Sequence, residues 1–134
     1  MSDKIIIDTS AFYALVSASD EFHSKAKTIY ERLVDQKTEL YTSSYIFVES
    51  AALIQHRLGF AGLETFVESV KGSLHFLWIN RRTHWQAWEI LKETSGRELS
   101  FVDCTTVVLA KALGASVFAF DEDFRQQGIL LSLA

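Results

Sequence analysis

The chain has 134 residues, of which 49% are hydrophobic and 22% are charged, and its formal net charge is -4. This length predicts a single globular domain over residues 1–134, and the acidic balance argues against a broadly basic surface that binds a nucleic acid backbone. The single cysteine, Cys104, excludes an internal disulfide framework and indicates a reducing compartment. We see no signal peptide and no apolar run long enough to span a membrane, so we expect a cytoplasmic protein.

The first predicted element is a strand that starts at Lys4 and continues through three isoleucines. Consecutive β-branched residues without alternation predict a short strand buried on both faces. Asp8 follows directly, at the carboxyl end of the strand, where ligands gather in open parallel sheets. Thr9 and Ser10 can then cap a short helix. On this stretch alone, Asp8 is explained equally well as a helix cap and as a functional acid.

The rest of the chain alternates strands with helices, which predicts an α/β domain with a mostly parallel central sheet. Apolar residues at helical spacing predict the helices, and glycine ends several of them, as Gly59 does for the helix that starts near Ser44. We expect Asp20 to cap the second helix, and its pairing with His23 is better explained as structural than as metal-binding. The later strands are expected at residues 40–42, 74–79, 117–120 and 129–131.

Two further acids stand in the opening turns of predicted helices. Glu49 is an isolated acid in an apolar stretch, where interaction with the helix dipole alone could explain it. Asp103 stands three residues after Ser100, which is the spacing of a capping box, so it also has a structural explanation. Asp121 and Asp123 follow the fourth apolar strand.

These acids are predicted to meet, because helix N-termini and strand carboxyl ends share one rim of a parallel α/β sheet. The acids delivered to this rim are Asp8, Glu49, Asp103 and Asp121, with Asp123 close by. Clustered carboxylates raise one another's pKa, and a bound divalent cation removes that penalty. Ligation by oxygen alone favours Mg²⁺, with Mn²⁺ as a possible substitute. The predicted chemistry is metal-assisted hydrolysis of a phosphodiester bond.

Four segments together resemble the PIN-domain ribonucleases, and most closely the VapC toxins of bacterial and archaeal toxin–antitoxin pairs. The resemblance covers essentially the whole chain and implies a three-layer PIN-like domain with helices on both faces of the sheet. One departure is Ala119, where relatives often carry a hydroxyl residue. The segments are Ile5-Ile6-Ile7-Asp8-Thr9-Ser10, Phe47-Val48-Glu49-Ser50, Ser100-Phe101-Val102-Asp103-Cys104 and Phe120-Asp121-Glu122-Asp123-Phe124. The metal ligands that the resemblance implies are Asp8, Glu49, Asp103 and Asp121, sometimes assisted by Asp123.

The resemblance further implies a magnesium-dependent endoribonuclease that acts on structured RNA such as transfer RNA and is held inactive by a small VapB-type antitoxin. The high apolar and aromatic content adds the expectation of a homodimer. The main alternative is a catalytically inactive PIN-like module that binds RNA or protein. A response-regulator receiver domain would need a lysine after its last core strand, and an aspartate-nucleophile phosphatase would need a second acid at position 10. Cys104 is a poor candidate for a nucleophile, because no histidine lies near it in the sequence.

Overall fold

The computed structural model of the chain describes residues 3–95, 99–120 and 124. Within them, one or two helices separate each strand from the next. The strands are β1 (Lys4–Ile7), β2 (Glu39–Ser43), β3 (His75–Leu77) and β4 (Ser116–Phe118). The helices are α1 (Thr9–Val16), α2 (His23–Asp35), α3 (Ser44–Ser73), α4 (Arg81–Thr94) and α5 (Phe101–Leu113).

The strands form one parallel sheet in the order β3-β2-β1-β4. β1 is therefore an inner strand, with β2 hydrogen-bonded to one edge and β4 to the other. Ile5, Ile6 and Ile7 are all fully buried, although successive residues of a strand point to opposite faces. The prediction of a first strand buried on both faces is confirmed.

The strand order explains why helices cover both faces of this sheet. From β1 the chain steps to β2 and β3 in one direction, and it then returns past β1 to β4. Because parallel crossovers are right-handed, this reversal moves the connecting helices to the opposite face. α1 packs against α2 and α3 on one side, and α4 packs against α5 on the other. The predicted three-layer α/β arrangement is therefore confirmed.

The structure decides how the first two helices start. α1 begins at Thr9, and its cap is Asp8, whose side chain accepts a hydrogen bond from the amide of Ser10. Capping was one of the two roles considered for Asp8, whereas Thr9 and Ser10 lie inside the helix. α2 begins at His23 and its cap is Phe22, two residues after Asp20. Asp20 instead accepts a hydrogen bond from the amide two residues further on, so it closes the turn before the helix.

Two strands are shorter than predicted, because pairing with a neighbour limits each of them. β3 ends at Leu77, which pairs with Ser43, the last residue of β2. β4 ends at Phe118, which pairs with Ile7, the last residue of β1. The strand predicted at residues 129–131 lies outside the described residues.

α3 spans 30 residues and is kinked at Gly59, where φ is 77° and ψ is -173°. The predicted end of the helix that starts near Ser44 corresponds to this kink, and a second helical segment continues beyond it to Ser73. Within the described ranges of the chain, no helix is long and apolar enough to cross a membrane. Because of this kink, the connection from β2 to β3 consists of two helical segments that run in different directions.

Replacing Gly59 by alanine is expected to lower the free energy of unfolding by about 1–3 kcal/mol, because this φ/ψ region is essentially restricted to glycine. No neighbouring atom would clash with the new methyl group, so the effect would report backbone strain alone. Gly72→Ala is the matched control: it also meets open space and lies in the last turn of α3 without a positive φ. We expect it to be neutral or slightly stabilising in chemical denaturation. Equal effects at the two positions would contradict the strain at Gly59.

Candidate active site

Asp8 lies at the centre of the rim, where β1 ends between its two neighbouring strands. Its amide donates a hydrogen bond of 3.0 Å to the carbonyl of Phe118 in β4, and the residue is only 4% exposed. The amide and the hydroxyl of Ser10 both donate to Oδ2 of Asp8, at 3.2 and 3.1 Å. The other oxygen, Oδ1, is buried and has no hydrogen-bond partner among the described residues. A buried, unpartnered carboxylate oxygen is costly, and this one is therefore the strongest indication of a ligand site.

Burial raises the pKa of Asp8 from 3.8 to about 7, because the charged carboxylate loses its hydration. The negative charge of Asp103 acts in the same direction, and that of Glu49 does so more weakly. The hydrogen bonds from Ser10 oppose the shift. The three acids are thus close enough to interact electrostatically, as the topology predicts.

Glu49 is held by a short chain of hydroxyl groups that joins α1 to α3. The hydroxyl of Thr9 donates a 2.7 Å hydrogen bond to Oε1 of Glu49, and the hydroxyl of Ser50 donates to Thr9 at 3.0 Å. Thr9 and Ser50 are both buried, so these hydrogen-bonded hydroxyl groups have little freedom to rearrange. Glu49 is therefore oriented toward α1 rather than extended into solvent.

Ser10 connects the acidic centre to the last described strand. While its hydroxyl donates to Asp8, it accepts a 3.0 Å hydrogen bond from the amide of Phe120. The segment that leaves β4 is thereby held beside the carboxylate of Asp8. This places the end of β4 at the same rim as the end of β1.

Asp103 has the capping role that the sequence predicted. Its Oδ2 accepts from the amide of Ser100 at 3.0 Å, and its own amide donates to the hydroxyl of Ser100 at 3.1 Å. This capping box begins α5 and fixes the carboxylate at the start of the helix. Because the charge of Asp103 also raises the pKa of Asp8, capping and membership of the acidic cluster are compatible.

The structure thus brings together three of the five predicted ligands, from β1, α3 and α5. Asp121 and Asp123 lie outside the described residues. Within the described ranges, no three acidic, histidine or cysteine side chains approach closely enough to hold a metal ion by themselves. Mg²⁺ commonly takes only one or two carboxylates and completes its shell with water and phosphate oxygens. The unpartnered Oδ1 of Asp8 is the kind of carboxylate donor that such an ion takes.

Two other candidates have structural roles. Nδ1 of His23 donates a 2.7 Å hydrogen bond to the carbonyl of Ala14, which ties the start of α2 to α1. Burial raises the pKa of the Cys104 thiol to about 11, and the charge of Asp103 adds to this effect. A thiol with such a pKa is almost entirely protonated at neutral pH, so it is a poor nucleophile.

Sequence reasoning missed the supporting roles of Thr9, Ser10 and Ser50. It assigned the first two to helix capping and gave the third no role. The contacts that define them reach residues 40 or more positions away along the chain. The only local signal was a run of small hydroxyl residues next to acids, a pattern that capping explains equally well.

A model of the PIN domain matches residues 5–130 of the chain. The 23S rRNA-specific endonuclease VapC20 of Mycobacterium tuberculosis is 29% identical over 128 residues, which cover 94% of this chain and 95% of the relative. The crystal structure of that organism's VapC20, described as a sarcin–ricin loop cleaving toxin, has a TM-score of 0.85 and 27% identity, with 94% and 96% of the two chains covered.

The fold also matches a VapBC complex of Salmonella typhimurium bound to DNA. Here the TM-score is 0.72, the identity is 19% and 96% of each chain is covered. These matches confirm the resemblance that the sequence motifs indicated.

Proposed function

Because the chain belongs to the PIN domain family, we propose that it is a magnesium-dependent endoribonuclease and the toxin of a VapBC-type toxin–antitoxin pair. The observation that carries this proposal is the buried, unpartnered Oδ1 of Asp8 next to the charges of Asp103 and Glu49. A cluster of this kind costs stability unless a cation is bound, so it is better explained by function than by folding.

The proposed ligands are Asp8, Glu49 and Asp103, together with Asp121 and Asp123, which remain predictions from the sequence. When bound, Mg²⁺ or Mn²⁺ supplies charge for the reacting phosphate and activates a water molecule. The chain's own residues hold the donor oxygens in place: Ser10 orients Asp8, Thr9 orients Glu49, and the capping box orients Asp103.

A structured loop of ribosomal RNA is the substrate class that we propose. The support is the likeness to a 23S rRNA-specific endonuclease over nearly the whole chain, at 29% identity. Transfer RNA, the substrate that the family resemblance first suggested, is the competing candidate. Either RNA substrate implies that the protein acts in the cytoplasm.

A homodimer and a VapB-type antitoxin are the partners that we propose. Support comes from large apolar side chains at the surface, among them Phe60 at 68% and Trp78 at 78% exposure. The fold of known VapBC complexes is also similar. Sedimentation at micromolar concentration tests the proposal, since a monomer that purifies without any small partner would count against it.

Cleavage of a sarcin–ricin stem-loop is expected to require Mg²⁺ or Mn²⁺ and to stop completely in EDTA, with transfer RNA assayed in parallel. The reason is that every proposed ligand is a carboxylate oxygen, which binds these ions well. Restoring excess Mg²⁺ to the chelated protein is the control and should recover the rate. Undiminished cleavage after thorough chelation would refute the metal site. Metal-dependent binding of RNA without any cleavage would favour the inactive module.

A further inference from the structure

We propose that one face of α4, formed by Arg81, Arg82 and Trp85, binds the RNA substrate beside the acidic cluster. An unpaired base stacks on the indole of Trp85, and the two guanidinium groups contact the adjoining phosphates. The inference rests on the proposed function and adds to it the part of the protein that holds the substrate. We name these three residues the α4 face.

The position of α4 places this face at the rim. α4 starts four residues after β3 ends, so its first turn lies near the carboxyl end of the sheet. Trp85 follows Arg81 by four positions and Arg82 by three, so the three side chains are neighbours on the helix surface. No acidic residue stands in the first turn, and the N-terminus of a helix itself attracts phosphate.

His84 joins this first turn to both helices that carry acids on this rim. Its Nδ1 shares a 2.7 Å hydrogen bond with the hydroxyl of Tyr45, which lies one turn before Glu49 in α3. Its ring also packs on Phe101 of α5, with 4.9 Å between ring centres, two residues before Asp103. The α4 face is therefore held in a fixed position relative to the acids.

Trp85 is an exposed aromatic residue on α4 itself, three and four positions after the two arginines. It is 54% exposed, and its ring contact in the described chain is with the ring of His84, at 4.6 Å and 85°. Trp88 is less suited, because Phe101 stacks on it at 6.2 Å and Lys92 lies 5.9 Å from its ring centre. An exposed indole held by one edge contact is a suitable platform for a base.

The charges at this face complement RNA. Arg81 and Arg82 are exposed, and neither forms an ion pair within the described residues. In a chain of net charge -4, two such arginines beside clustered acids provide local attraction for a phosphate backbone that the acids would otherwise repel. An apolar partner helix would leave both guanidinium groups unpaired, so the charges favour RNA as the occupant.

The test measures binding of a sarcin–ricin stem-loop to the full chain in an Asp8→Asn background, where cleavage cannot interfere. Trp85→Ala should weaken binding at least about fivefold without changing its salt dependence, and Trp85→Phe should recover most of the loss. The double variant Arg81→Gln/Arg82→Gln should make the negative slope of log K against log salt shallower by about 1.4, since each single-strand phosphate contact contributes roughly −0.7. Val34→Ala, which shortens an exposed apolar side chain in the last turn of α2, is the control and should bind like the background protein.

Unchanged affinity in Trp85→Ala, or an unchanged salt slope in the double variant, would overturn the proposal. It would also be overturned if these variants bound RNA normally but lost a small partner protein, because the α4 face would then be a protein interface. If the parent cleaves RNA while the variants bind it unaltered, this inference alone fails. A parent that neither cleaves nor binds the stem-loop would refute the proposed function as well.

Discussion

Asp8→Asn is expected to abolish RNA cleavage and, at the same time, to make the metal-free protein more stable near pH 8. The amide keeps the shape of the side chain and can still accept the hydrogen bonds of Ser10. It lacks the charge that a cation requires and that Asp103 and Glu49 repel. A gain in stability with a loss of activity is the expected signature of a functional acid in a costly position.

The pH dependence of this gain follows from the raised pKa of Asp8. Between pH 3.8 and about 7 the folded protein retains a proton that the unfolded chain has released, so stability falls as the pH rises through this interval. Above about pH 7 the free energy of unfolding falls no further from this cause, and the total decrease is at most about 4 kcal/mol. The difference in unfolding free energy between Asp8→Asn and the parent should therefore be near zero at about pH 4 and largest near pH 8. Chemical denaturation in EDTA across this range measures it.

Asp20→Asn is the control for this experiment. Asp20 also accepts a hydrogen bond from the amide two residues further on, as Asp8 does, but it lies beyond the far end of α1. Its replacement should leave cleavage at the level of the parent. If Asp8→Asn were less stable than the parent near pH 8, or still cleaved RNA, Asp8 would be a helix cap and no more.

Asp103→Asn is expected to abolish cleavage with little change in stability. The neutral amide can keep the hydrogen bond from Ser100, so the loss is the interaction of a charge with the helix dipole, about 0.3–1 kcal/mol. Relief of the repulsion with Asp8 offsets this loss in the metal-free protein. Added Mg²⁺ should raise the thermal midpoint of the parent and not that of the variant.

Ser100→Ala separates capping from catalysis at the same helix start. It removes the hydroxyl that accepts from the amide of Asp103 and keeps the carboxylate. We expect it to lower the free energy of unfolding by about 1 kcal/mol and to leave cleavage largely intact. The reverse pattern, an active Asp103→Asn protein that is clearly destabilised, would exclude Asp103 from the site.

Features determined by neighbouring residues were predictable from the sequence. The run of isoleucines is buried in an inner strand, Gly59 interrupts a long helix, and Ser100 with Asp103 forms a capping box. Each of these depends on local backbone preference or on a hydrogen bond over three residues. The rim shared by Asp8, Glu49 and Asp103 was also predictable, because it follows from the topology of parallel sheets.

Features determined by distant partners were not predictable. The lengths of β3 and β4 depend on where β2 and β1 end, and that information lies elsewhere in the chain. The hydrogen bond from Thr9 to Glu49 likewise joins two helices whose approach is set by packing. The cap of α2 was placed two residues too early, since an aspartate can close a turn as readily as it can cap a helix.

The hydrogen bond between Ser10 and Phe120 also has a consequence for the order in which the protein can fold during its synthesis. It joins positions 110 residues apart, and β1 has only one of its two neighbours until β4 has been made. Contacts over such a separation form late, because the closure of a long loop must precede them. A nascent chain therefore carries Asp8 and Glu49 well before β4 can pair with β1. The surroundings of Asp8 are therefore completed only after the chain has been synthesised through β4.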